Sequence, residues 1–210
     1  KLNPSYTVAL QGKQEIRDIR SAGFNAAWSN YYSGLYQEAV TGFQKVISDE
    51  MDRIDPGDKW QVYSGLGASQ LELNQFKAAV DAYDKCLELQ PDNPYCLTGK
   101  ARAQWELKEY SDAEALARKA LDKDPDNASH RALLGWILVE QQKLNQAKSE
   151  FDKALGLYAG EVDAMAGLGM IAFLNGDNKT ARENFEAALA INPDNKQSLE
   201  GLKQIEEATQ

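Results

Sequence analysis

Histidine, cysteine and long apolar runs are scarce in this chain of 210 residues, and each shortage removes a class of function. The single histidine, His130, leaves little for acid–base catalysis and has no His or Cys neighbour with which to hold a metal. Neither a phosphate-binding glycine loop nor a nucleophile elbow is present. The chain is therefore read as no enzyme, with no cofactor and no metal. No apolar run approaches the roughly 18 residues that a membrane span needs. Basic residues are in deficit, 23 Lys and Arg against 32 Asp and Glu, for a net charge of −9. That balance disfavours nucleic acid or an anionic membrane as principal partner. The two cysteines, Cys86 and Cys96, stand five residues either side of Pro91. A bridge between them needs Cα atoms within about 7 Å; the other reading is two small buried residues. No signal sequence is recognised, and the first residue is Lys rather than Met. A fragment, a mature form or a cloning remnant all fit that start, and the expected location is soluble, cytoplasmic or periplasmic.

What the chain does have is a period. Ala79, Ala113, Ala147 and Ala181 follow one another at 34 residues, and Ala39 precedes Ala79 by 40. Small residues recur at Ala27, Gly67, Ala101, Gly135 and Gly169. Large rings recur at Phe43, Tyr83, Phe151 and Phe185, with Ala117 as the exception. Pro56, Pro91, Pro125 and Pro193 close most units. A period of about 34 residues with small, aromatic and proline columns means a helical solenoid.

The unit Trp60–Asn93 shows why. Tyr63, Leu66, Gly67 and Leu71 follow a helical period; Asn74 breaks it; Phe76, Ala79, Tyr83, Cys86 and Leu87 make a second stripe. Gln90-Pro91-Asp92-Asn93-Pro94 then ends the second helix. Two short helices cannot bury both stripes alone, so neighbouring units must stack.

The chain resembles the tetratricopeptide repeat family at Leu66-Gly67 with Ala79, Tyr83 and Pro91, at Leu134-Gly135 with Ala147 and Phe151, and at Leu168-Gly169 with Ala181, Phe185 and Pro193. The runs Pro91-Asp92-Asn93, Pro125-Asp126-Asn127 and Pro193-Asp194-Asn195 belong to the same resemblance. It implies an all-α, right-handed α-solenoid of five helix-turn-helix repeats over 20–195, divided as 20–58, 60–93, 94–127, 128–161 and 162–195. Residues 1–19 are expected to add an N-terminal helix, and 196–210 a polar capping helix with Leu199, Leu202 and Ile205 inward. Three departures stand out. The first unit carries about five extra residues near Asp49–Asp58, so its second helix is longer or its turn is a loop. Lys100 stands in a column otherwise held by Leu66, Leu134 and Leu168, and Asn30, Gln70 and Gln104 stand where the family has an aromatic.

In this family a second stripe on each first helix lines the concave surface. Here it carries Phe24, Trp28, Tyr31 and Tyr32, then Leu71, then Arg102 and Trp105, then Trp136 and Val139, then Met170 and Phe173, with Tyr95 joining from a helix start. Glu72, Glu106 and Glu140 form a ladder beside it at 34-residue spacing. Two readings stand for the rings: an exposed aromatic groove, or packing sideways against the next first helix. Two also stand for the ladder: a binding feature, or a solvated edge. Exposed apolar surface marks binding sites, and Trp, Tyr and Arg carry most binding energy. The family's carboxylate clamp is not expected, since Asn25 and Arg102 stand without the remaining basic partners. The expected function is a non-enzymatic adaptor that binds a protein or peptide with apolar and basic side chains. The alternatives are a self-associating scaffold or the interaction arm of a larger protein.

Overall fold

The computed structural model describes residues 22–208; the helix expected within residues 1–19 lies outside them. Contacts divide the chain into unit 1, Lys1–Pro91, and unit 2, Asp92–Gln210. Unit 1 contains α1 (Ala22–Tyr32), α2 (Tyr36–Lys45), α3 (Lys59–Glu72) and α4 (Phe76–Leu89). Unit 2 contains α5 (Pro94–Glu106), α6 (Tyr110–Lys123), α7 (Ala128–Glu140), α8 (Leu144–Leu157), α9 (Val162–Leu174), α10 (Asn178–Ile191) and α11 (Lys196–Ala208). The described residues are thus all-α, five helix pairs followed by a single helix.

Local chemistry sets the starts of α5, α7 and α11 and the ends of all five first helices. The Asn of each Pro-Asp-Asn run caps the helix that follows. Asn93 accepts from Tyr95 N and Cys96 N (3.0 and 3.2 Å), Asn127 from His130 N (3.1 Å) and Asn195 from Ser198 N (2.9 Å). At the other end every first helix stops on one left-handed residue: Gly34, Asn74, Lys108, Gln142 and Gly176, with φ between 57° and 80°. The amide of each bonds three residues back, and the next amide reaches five back, as in Lys108 N to Trp105 O (2.8 Å) and Glu109 N to Gln104 O (2.8 Å). The chain therefore reverses within a few residues, and each second helix lies against its own first helix.

Successive first helices touch: α1 with α3 in unit 1, and α5 with α7, α7 with α9 and α9 with α11 in unit 2. Each second helix packs on the first helix that follows it within the unit, but α6, α8 and α10 make no comparably close contact with one another. Within each unit, first helices thus form the more closely packed layer.

The core is a series of ring wedges. Phe151 of α8 is fully buried, and a Cβ at Gly135 of α7 or at Gly167 of α9 would run into its ring. Phe185 of α10 sits the same way between Gly169 of α9 and Gly201 of α11. In unit 1, Phe43 lies under Gly65 of α3. One ring thus locks its own first helix to the next.

The extra residues of the first repeat are accommodated without a long loop. α2 runs into a π-helical turn (Val46–Glu50), then a 3₁₀ turn (Met51–Arg53), and Ile54 drops into the core. Gln70 and Gln104 are buried, and the Oε1 of each has no hydrogen-bond partner among the described residues. Neither cysteine is a free thiol: Cys86 and Cys96 are both disulfide-bonded. One detail of the capping helix differs from expectation. Ile205 is buried, but Leu199 is 50% exposed, because no second helix lies against that face among the described residues.

The wedge geometry makes a direct prediction. Gly167→Ala pushes a methyl into the Phe151 ring and should destabilise the chain by about 1–3 kcal/mol, the usual scale of overpacking. Urea denaturation checks it; an unchanged midpoint would mean the ring has room to move.

Candidate functional site

The aromatic face of unit 1 is built on Trp28. Its ring lies 5.2 Å from Phe43 and 6.4 Å from Phe24, both edge-on, 5.7 Å from Tyr31, and stacked at 5.6 Å on Tyr32. Tyr31 in turn meets Tyr32 (5.5 Å) and Tyr36 (5.7 Å). Phe24 and Phe43 anchor this cluster in the core, while Trp28, Tyr31, Tyr32 and Tyr36 remain half-buried. Six rings thus form one connected group, fully buried at Phe24 and Phe43 and half-buried at the other four. Tyr36 joins this group from α2, outside the stripe that the sequence pattern marks on the first helices.

Burial corrects the expected groove at four positions. Phe24 (1% exposed) and Leu71 (8%) belong to the core of unit 1, and Trp136 (6%) and Val139 (5%) to that of unit 2. The physical cause is clearest at Trp136. Ala164 and Ala166 are fully buried, so α9 lies close against α7. The Trp136 ring is held there, edge-on to Phe151 at 5.8 Å, with Nε1 donating to the Asp163 carbonyl at 3.0 Å. This is the sideways packing that the sequence left open. Trp105 lies over it at 6.4 Å and stays half-buried. Met170 and Phe173 are also half-buried; Arg102 is exposed, and Tyr95 is 37% exposed.

The glutamate ladder divides. Glu72 of α3 is half-buried. In unit 2, Glu106 and Glu140 are exposed, and Glu140 accepts from the Tyr110 hydroxyl at 3.2 Å. The carboxyls that burial affects are others, at the start of α9, where the ladder does not reach. Glu161 occupies the column of Asn93, Asn127 and Asn195, but its side chain caps nothing. Instead it is buried and accepts from Ser129 Oγ at 2.9 Å. Burial pushes its pKa up; the Ser129 bond opposes that, and the Asp163 charge adds to it. Asp163 keeps a solvent-exposed surface, yet protein surrounds its carboxyl closely enough that desolvation raises its pKa too, against the attraction of Arg102 and a bond from Asn195 Nδ2 (3.2 Å). The signal that could have found Asp163 is its column, since Tyr95, Ser129 and Asp163 are 34 apart.

His130 sits behind this face. It is 4% exposed, with Nδ1 3.1 Å from Thr98 Oγ1, Nε2 3.8 Å from Asp124 Oδ2, and the Tyr95 ring edge-on at 6.0 Å. Among the described residues no group of three or more His, Cys, Asp or Glu could hold a metal ion. No helix among them is long and apolar enough to cross a membrane.

Burial lowers the His130 pKa to about 4, with the Asp124 charge opposing. A folded-state pKa below the unfolded 6.5 means that the neutral ring's contribution is whole above about pH 6.5 and is lost as pH falls toward 4. Glu161 and Asp163, with raised values, act in the opposite sense, because folding favours their protonated forms. The clean readout is therefore a difference. Wild type should lose about 2–3 kcal/mol relative to His130→Leu between pH 7 and 4 in parallel urea titrations. Parallel pH profiles would show that the imidazole is not desolvated.

Comparison with known proteins places this arrangement. Tetratricopeptide repeat models match residues 24–94 and 132–196, more than half of the chain, and a second such model matches 70–137. The human mitochondrial import receptor subunit TOM70 is 28% identical over 142 residues, 67% of this chain and 22% of that protein. The chain thus spans under a quarter of the length of this relative. Among solved structures, the thermophilic TPR protein TTC0263 of Thermus thermophilus has a TM-score of 0.71 at 17% identity, covering 89% of this chain and 97% of that one. YrrB, described as a TPR protein with an unusual peptide-binding site, has a TM-score of 0.57 at 20% identity, covering 95% and 98%. With its helix pairs, its ring wedges and these matches together, the chain belongs to the tetratricopeptide repeat family.

Proposed function

We propose that this chain is a non-catalytic adaptor that holds a segment of another protein, carrying apolar and basic side chains, on the concave faces of its units. The observation that supports the reading is that these aromatic groups keep some surface: Trp28, Tyr31, Tyr32 and Tyr36 in unit 1 and Trp105 in unit 2 are half-buried, and Tyr95 is 37% exposed. Rings packed at one edge and partly exposed at the other offer contact area with little entropy left to lose, the composition of binding hot spots. The net charge of −9 favours basic segments. The described peptide site of YrrB is consistent with such a role, and TOM70, named as a receptor subunit, fits the interaction arm of a longer protein.

Two tryptophans 6.4 Å apart separate binding from folding. Peptides selected from a random displayed library against the full chain should bind Trp105→Ala at least about tenfold more weakly, with its far-UV circular dichroism unchanged. Trp136→Ala should instead lower stability by about 3–5 kcal/mol, as a buried ring does. Undiminished binding to Trp105→Ala would contradict the adaptor reading.

The second reading, self-association, is favoured by one feature of unit 2. Leu157, Tyr158 and Ile191, at the ends of second helices, are exposed. Light scattering across a concentration series decides: mass that rises with concentration supports it, and a constant monomer rules it out.

A further inference from the structure

The 21 residues before Ala22 have the apolar and basic character expected of a bound segment. They carry Leu2, Tyr6, Val8, Leu10, Ile16 and Ile19, and four basic residues (Lys1, Lys13, Arg17, Arg20) against two acidic ones (Glu15, Asp18). Their net charge is therefore +2, which leaves −11 on the rest of a chain whose total is −9. From Ala22 to Pro91 the balance is five basic residues against ten acidic. Opposite charges thus sit on adjoining stretches of one chain, where the tether itself supplies a local concentration in the millimolar range.

Geometry selects the face. Residue 21 joins α1 at its first residue, and α1 is 11 residues long, about 16 Å. Twenty residues span about 30 Å as a helix and about 70 Å extended, so the segment can double back over the whole of α1. α1 offers two flanks. Ala22, Asn25, Ala26 and Ser29 share one of them, exposed and without a large apolar side chain. The other carries Trp28, Tyr31 and Tyr32, half-buried and in ring contact with one another and with Tyr36 of α2. Isoleucine and valine gain apolar contact on the second flank and little on the first, and ring faces also attract guanidinium groups. Glu50 stands over the start of α1: a Cβ on Gly23 would come within 2.7 Å of its Oε1. A carboxylate is thus in place where the basic end of the segment, Arg17 and Arg20, joins the helix.

We propose that residues 1–21 are a tethered ligand of unit 1: Ile16 and Ile19 lie on the aromatic face of Trp28, Tyr31, Tyr32 and Tyr36, and the segment must leave before a partner's segment binds there. This rests on the adaptor reading above and gives it a regulation. An occupied fraction of about nine-tenths weakens a partner's apparent affinity about tenfold. At a tethered concentration of about 1 mM, that corresponds to a dissociation constant of about 0.1 mM for the detached segment.

Two measurements on the full chain test this. The first is methyl NMR of the wild type with labelled isoleucine. The Ile16 and Ile19 methyls should show nuclear Overhauser contacts to the rings of Trp28, Tyr31 or Tyr32, and Trp28→Ala should move their shifts toward unfolded values. Contacts to Ala22 and Ala26 instead, or shifts already at unfolded values in the wild type, would overturn the assignment. Contacts found only between chains, in a mixture of labelled and unlabelled protein, would make the occupant a second copy and would also overturn it. The second measurement titrates a synthetic peptide of residues 1–21. The double variant Ile16→Ser, Ile19→Ser should bind it with a dissociation constant of about 0.1 mM. Wild type, with its own segment in place, should bind it about tenfold more weakly, and adding Trp28→Ala to the double variant should abolish binding. Equal affinity for wild type and the double variant would sink the proposal. Each of these failures leaves the adaptor reading standing, because that reading is tested at Trp105 in unit 2. The NMR contacts in wild type decide the matter even if a variant does not fold.

Discussion

Everything in this chain depends on an aromatic ring held between two glycines. Phe151 enters where neither Gly135 nor Gly167 has a side chain, and Phe185 does the same between Gly169 and Gly201. A helix pair of this length is marginal alone. Sharing a ring with the next pair turns two half-buried stripes into one core, with close packing that tolerates little change in volume. The same close approach sets the first helices of each unit side by side. Packing therefore comes first, and the surface of the first helices is what the packing leaves exposed.

That order explains how much was legible in the sequence. The wedge columns were plain, because a ring column and a small-residue column repeat in step with Ala79, Ala113, Ala147 and Ala181. Helix stops could be read at Asn74 and from the Pro-Asp-Asn runs, whose asparagines cap the next helices. Lys108 and Gln142 gave no such sign; their left-handed conformation comes from the tight reversal, not from residue preference.

The site was legible only in part, for a geometric reason. A first helix has two flanks, and which one stays open depends on how close its neighbour comes. The stripe of Phe24, Trp28, Leu71, Trp105, Trp136 and Val139 could be read as one face of the first helices, but depth along that face was not in the pattern. The fully buried Ala164 and Ala166 let α9 close over Trp136, whereas Trp105 stays half-open. The ladder Glu72, Glu106 and Glu140 drew attention through its regularity. The more consequential carboxyls, Glu161 and Asp163, break their columns: a glutamate where asparagines cap, and an aspartate in line with Tyr95 and Ser129.

The account's central claim is that partners are held by the inner layer of first helices. Hydrogen exchange on the full chain, free and with a saturating selected peptide, tests it most directly. Amides are slowed where binding suppresses local opening. The account predicts protection concentrated in α1, α5, α7 and the start of α9, with α6, α8 and α10 unchanged. Protection confined to the second helices would contradict it.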